Sequence, residues 1–268
     1  MTDRPRRRTV VGGAAAAGTI FPAWTPAIAR PPERPDTIVS PIVELRQYTL
    51  HSGQRDVLID LFEREFVEEQ ESVGMTLIGQ FRDLDDPDRF VWLRGFPDME
   101  ARRLALEAFY LGPVWQANRN AANQTMVDSD NVLMLRPLDD ASGFFLGERG
   151  ARGALGPGQG VVVAGVHAVS GPGDAISARF PKAFAPRLAA AGLVPGAVLT
   201  TEFSANTFPG LPVREGEPVL VWLAVTTDPN EADAAIARAR ADPGLEVLLE
   251  HPLQLLRLQP TARSRLHG

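Results

Sequence analysis

Glu44, Arg46 and Tyr48 are the residues from which chemistry is most readily built. They stand two apart in a stretch, 42–50, that alternates in character with the period of a strand. A carboxylate, a guanidinium and a phenol therefore share one strand face. Such a set can hold a polar or anionic ligand through charge-assisted hydrogen bonds, and it can equally be a structural polar network. Trp92 and Arg94, on a strand predicted over 89–96, join it as ligand-pocket candidates, with His167, Glu202 and Trp222 from the second half of the chain. Burying an indole contributes roughly 4–5 kcal/mol, at ~25 cal/mol/Å² over ~150–250 Å², so core packing competes with ligand stacking for both tryptophans. His167 could be a general base, a haem ligand or a hydrogen-bonded core histidine.

Other chemistries find little footing. The four histidines, His51, His167, His251 and His267, include no pair with metal-ligand spacing, and no metal or cofactor is expected. The chain has no cysteine, which excludes disulfides, thiolate metal sites and thiol nucleophiles. The run Gly156-Pro157-Gly158-Gln159-Gly160 lacks the Lys-Ser/Thr of a phosphate loop, and no Gly-x-Ser-x-Gly elbow is present. Asp85, Asp86 and Asp88 read as a solvated hairpin turn.

The N-terminus carries an address. Arg7-Arg8 opens an Arg-Arg-x-apolar-apolar pattern, a Gly- and Ala-rich weakly apolar stretch follows, and Ala27-Ile28-Ala29 is a small-x-small cleavage site. Residues 1–29 thus resemble a twin-arginine signal peptide cut after Ala29, which implies a periplasmic or secreted protein. The apolar run is short of the ~20 residues that span a bilayer, so no stable membrane insertion is expected once the signal is removed. Its removal takes four arginines and one aspartate and moves the formal charge from −6 to −9. So acidic a surface repels phosphate backbones, and nucleic acid is not expected as a partner.

Residues 30–40 form a Pro-rich linker. The strand at 42–50 is followed by an amphipathic helix over 54–71, with Val57, Leu58, Leu61, Phe62, Phe66 and Val67 as its apolar stripe and Glu63 on its solvated side. Strands at 75–83 and 89–96 make a hairpin. A helix capped by Asp98 runs over 99–110 with Leu104, Ala105, Ala108 and Phe109 inward, and a strand at 131–136 ends the unit. Residues 139–159 are a Gly-rich connection in which Phe144 to Leu146 is apolar enough to pack onto a domain. The order then repeats. Phe90-Val91-Trp92-Leu93 matches Leu220-Val221-Trp222-Leu223, and Asp98 and Asp228 each follow their Trp by six residues. Glu44, Arg46 and Tyr48 align with Val163, Gly165 and His167. The helix carrying Ile176, Phe180, Phe184 and Leu188 must be kinked or divided by Pro181 and Pro186.

The expected class is α+β: two tandem ferredoxin-like βαββαβ units, 41–138 and 160–260, with antiparallel sheets facing each other as a pseudo-dimeric α+β barrel, and a tail at 261–268. Parity then suggests that Glu44, Arg46 and Tyr48 point between the sheets, because an unpaired charge beneath helices costs several kcal/mol.

Glu44-Leu45-Arg46-Gln47-Tyr48-Thr49-Leu50, Leu77-Ile78-Gly79-Gln80-Phe81, the Asp-Arg-Phe-Val-Trp-Leu run at 88–93 and Gly112-Pro113-Val114-Trp115-Gln116 resemble the NIPSNAP family of the dimeric α+β barrel superfamily. Family members often carry a His and then a Trp in the third strand, where this chain has Trp92 and Arg94. The resemblance implies a fold and no settled reaction. Two functional classes stay open. One is a protein that binds a small molecule between its two sheets, with room for a homo-oligomer. The other is a cofactor-free or haem-assisted monooxygenase or isomerase of a small aromatic or quinone-like substrate.

Overall fold

The computed structural model describes residues 1–2, 40–250 and 252–268. The expected signal peptide from residue 3 onward, all but the last residue of the Pro-rich linker, and His251 lie outside the described residues. Every element below belongs to the unit Pro35–Gly268.

Eight strands close into an antiparallel barrel in the order β1-β3-β2-β8-β5-β7-β6-β4. The first half supplies β1 (Ile42–Leu50), β2 (Thr76–Asp83), β3 (Arg89–Phe96) and β4 (Met126–Pro137). The second supplies β5 (Val161–Ala168), β6 (Pro195–Thr201), β7 (Val219–Thr226) and β8 (Gln254–Pro260). Each half is a βαββαβ unit with its first and third strands at the centre. The halves join at two seams related by the repeat, β2 to β8 and β4 to β6, so the strands that would be open edges of one half are covered by the other.

The duplication is visible in register. Arg46 lies opposite Trp92 and Glu44 opposite Arg94, while Gly165 lies opposite Trp222 and Val163 opposite Ala224. It is visible again in the helices. The first helix of each half is α-helical at both ends and widens to a π-turn between, over Phe62–Phe66 and Phe180–Phe184. Pro181 falls in the second of these, but the first has no proline, so proline is not what widens the turn. In both cases phenylalanines at the two ends of the turn are buried. Of the expected stripe, Leu58, Leu61, Phe62, Phe66 and Val67 are buried and Val57 is exposed, while Ile59, Glu63 and Gln70 are buried as well.

The barrel interior is apolar and filled. Val43 and Leu45 meet Val91, Leu93, Leu133, Val162, Leu199, Val221 and Leu256 from the other strands there. Each fully buried Val or Leu contributes about 1.5–3 kcal/mol. Gln47, on the same face as Val43 and Leu45, exchanges two amide hydrogen bonds of 2.7 and 3.0 Å with Gln254 of β8, a strand not adjacent to β1. Phe144 of the connection and Leu266 of the tail join this interior core. The tail is therefore packed: Thr261, Arg263 and Ser264 are buried, and Thr261 N–H donates to the Gln80 carbonyl.

The orientation expected for Glu44, Arg46 and Tyr48 is corrected by this arrangement. They occupy the other face of β1, beneath the helices of the first half, where Tyr48 packs with Phe62, Phe66, Trp92 and Phe109. The one negative charge beneath the helices, Glu44, is paired there with arginines, and the alternative face fills the barrel.

Candidate functional site

Strand alternation sets Glu44 and Arg46 on one face of β1, and antiparallel register brings Arg94 of β3 opposite Glu44. A further cation comes from above. The second helix, Met99–Leu111, is capped by Asp98, whose carboxylate accepts from Ala101 N at 2.7 Å, and Arg102 lies one turn in. Its buried stripe is Arg102, Ala105, Leu106 and Phe109, and Leu104 and Ala108, expected inward, are exposed.

Glu44 and three arginines form one cluster. Oε2 accepts from Arg46 Nη1 at 2.8 Å and from Arg94 Nε at 2.8 Å, and Oε1 accepts from Arg102 Nε at 2.6 Å. All four are at most 1% exposed. Burial alone would raise the Glu44 pKa, but the charges of Arg94, Arg46 and Arg102 outweigh it and hold the carboxyl well below its usual range. Among the described residues Glu44 is the one carboxylate that pairs with these three guanidiniums, so the cluster carries an excess of two positive charges.

The cluster borders a cavity. Arg46 Nε donates to Tyr48 Oη at 3.1 Å, and Arg94 Nη1 donates to Gln70 Oε1 at 3.0 Å. Tyr48 and Gln70, the two lining residues bonded to the cluster, stand in the wall of a void of about 30 Å³, room for a water or two, whose other walls include Phe62, Phe66, Trp92, Phe109, Tyr110 and Trp115. The rings interlock edge to face: Phe62 on Trp92 at 4.9 Å and Tyr110 on Trp115 at 4.8 Å between centroids. The Arg94 and Arg46 guanidinium carbons lie 5.0 and 5.5 Å from the Trp92 ring. Burial raises the Tyr48 pKa, with Arg46 opposing, so the phenol keeps its proton.

The second half reaches across to this site. Its long β6–β7 connection brings Asn206 Oδ1 and Thr207 Oγ1 to Arg102 Nη1, at 3.0 and 3.3 Å. Thr207 Oγ1 also donates to the Met99 carbonyl, and Phe208 stacks on Tyr110 at 5.9 Å.

Helix-covered sheet, register and strand signature agree with one comparison in particular. Residues 43–141 match the NIPSNAP family. For the architecture as a whole, a solved Fusobacterium nucleatum protein described as a "putative monooxygenase" is similar at 11% identity over 86% of this chain and 97% of its own, with a TM-score of 0.52. At that identity the likeness concerns the fold. A NIPSNAP family protein of unknown function from Agrobacterium tumefaciens is 21% identical, covering 36% of this chain and 86% of its own at a TM-score of 0.34. A NIPSNAP-like domain protein from Burkholderia xenovorans is 29% identical, covering 35% and 81% at 0.32. No curated protein matches the sequence.

The site lies within residues 43–141, the stretch that matches the NIPSNAP family, and has no charged counterpart at the equivalent positions of the second half. Where the domain has Glu44, Arg46, Arg94 and Arg102, the second half has Val163, Gly165, Ala224 and Ala232, all buried. Gly165 is required there, since a Cβ would come within 2.4 Å of the Trp222 ring. His167, in the place of Tyr48, accepts a 2.8 Å hydrogen bond at Nε2 from Trp222 Nε1, and burial pushes its pKa down to about 4.

Of the candidates read from sequence, the structure brings together Glu44, Arg46, Tyr48, Trp92 and Arg94. His167 and Trp222 bond to each other under the helices of the second half. Glu202 accepts from the N–H and hydroxyl of Ser204 at the start of the β6–β7 connection. Arg102 and Gln70 were not singled out from the sequence. The signal for Arg102 was its place three before Ala105 and seven before Phe109, a buried-stripe position occupied by a charge.

Proposed function

We propose that the protein is exported and that its NIPSNAP domain binds a small molecule with an apolar ring body and a hydrogen-bond-accepting head. The seat is the helix–sheet layer of the first half, since the space between the two sheets is filled. One observation carries this reading. Tyr48 Oη already accepts from Arg46, so its own hydrogen is free to be donated, and the residue forms part of an aromatic-lined cavity. Gln70, whose Oε1 is occupied by Arg94, retains its amide N–H groups as further donors in that wall. The void is smaller than a ring, so the ligand enters by displacing Tyr110 or Trp115, the two half-buried rings of the lining. Oxygenase or isomerase chemistry draws support only from likeness of fold, which supplies no reaction; binding is the reading advanced.

The test is a thermal-shift screen of ring-bearing carbonyl compounds and phenolates, followed by direct titration. Tyr48→Phe, which removes one donor, is expected to weaken a true ligand about tenfold, and Trp115→Ala to weaken it further, while His167→Gln leaves it unchanged. Ligands indifferent to Tyr48 and Trp115 would contradict the assignment. For export, the periplasmic form should begin at Arg30, and Arg7→Lys with Arg8→Lys should hold the precursor in the cytoplasm. Exported protein with its N-terminus intact would argue against the signal.

A further inference from the structure

Donors and acceptors around Glu44 do not balance. A guanidinium carries several N–H donors and no acceptor. Against three of them stand one carboxylate, Tyr48 Oη, Gln70 Oε1, Met75 Sδ, Asn206 Oδ1 and Thr207 Oγ1. Arg102 Nη2 is buried with no acceptor. Arg94 Nη2 lies 2.7 Å from Glu44 Oε2, near enough for charge attraction but out of line for a hydrogen bond. Charges do not balance either, with three positive groups on one negative group in a dry layer. Buried polar groups are ordinarily satisfied, and buried charge ordinarily paired. The second half builds the same positions from Val163, Gly165, Ala224 and Ala232, so the sheet and its helices do not require the imbalance.

We infer that the cluster is completed by an oxyanion, a carboxylate or phosphate group, which accepts from the free N–H groups of Arg94 and Arg102 and is enclosed by the β6–β7 connection of the second half. Arginine suits this task because its planar fork matches the oxygens of both groups. Asn206 and Thr207 hold Arg102 through its other nitrogen, Nη1, leaving Nη2 free. The oxyanion is either a free ion or the head of the ring-bearing ligand proposed above; in the second case the inference rests on that proposal.

The experiment is thermal unfolding of the full chain titrated with sodium phosphate, sodium acetate or sodium benzoate, with sodium chloride holding ionic strength constant. At least one oxyanion is expected to raise Tm saturably, with an apparent Kd at least tenfold weaker in Arg102→Met. Should that variant not fold, Arg102→Lys, which keeps the charge but lacks the fork, must show the same weakening. Benzoate binding no better than acetate marks a free-ion site. Benzoate binding tenfold tighter, with the advantage lost in Trp115→Ala while acetate keeps its effect, marks the pocket ligand. The inference is overturned if none of the three anions stabilises the parent beyond chloride, or if the Arg102 variant that folds responds as the parent does.

Discussion

Glu44→Gln is expected to lower the unfolding free energy by about 3–5 kcal/mol, read from urea denaturation near pH 7. The substitution preserves shape and leaves an amide oxygen as an acceptor. It removes the single negative charge on which Arg46, Arg94 and Arg102 converge, at a place where none of them reaches solvent. Glu100→Gln on the same helix is the control. Glu100 pairs with Arg103 at 2.6 Å in an exposed setting, where solvent screens the pair, and its loss should leave the midpoint in place. Equal effects from the two substitutions would mean that the cluster is far better hydrated than its burial indicates.

His167 makes stability depend on pH in a defined window. Its folded pKa is about 4 and its unfolded value about 6.5. The folded state prefers the neutral ring, so as pH falls below about 6.5 the unfolded chain takes up a proton that the folded chain refuses. Stability is complete above that value and declines between about 6.5 and 4, by about 3 kcal/mol in total, levelling off as the folded ring itself titrates. His167→Gln, which keeps an acceptor for Trp222 Nε1, should abolish the slope in that range. Glu44 acts at lower pH, because its depressed pKa begins to matter only below the ordinary carboxylate range. An unchanged slope in His167→Gln would show that another group carries the acid sensitivity.

Much of the architecture was legible because it is written twice. The tryptophan strands and the two Asp caps mark the repeat, and the structure places Trp92 and Trp222 opposite equivalent positions, Arg46 and Gly165. The closed eight-stranded barrel follows from two such sheets covering each other's edges. Parity correctly grouped Glu44, Arg46 and Tyr48 with Trp92 and Arg94. The expectation for the face takes the charges beneath the helices as unpaired, whereas Glu44 pairs there with Arg46 and Arg94 and also with Arg102, a residue distant in sequence on a helix whose phase differs from the expected one. Once Arg102 is placed inward, the helix-covered face becomes the polar one and Val43 and Leu45 go to the barrel. The π-turn at Phe62–Phe66 has no period-3.6 signature, and Gln70, four residues after Phe66, is a polar residue at a position of the buried stripe. The reach of Asn206 and Thr207 to Arg102 depends on the β4–β6 seam, which local pattern does not encode.

That the charge cluster serves a ligand rather than the fold is tested most directly by removing it whole. Glu44→Leu, Arg46→Met, Arg94→Met and Arg102→Met together keep approximate volume and leave no charge in the cluster, as at the equivalent positions of the second half. Urea unfolding of this variant in a buffer free of oxyanions should give a stability equal to or above the parent's, since replacing buried ion clusters by packed apolar groups is often neutral or stabilising by about 1–4 kcal/mol. A variant destabilised as much as Glu44→Gln would contradict the claim and make the four residues structural.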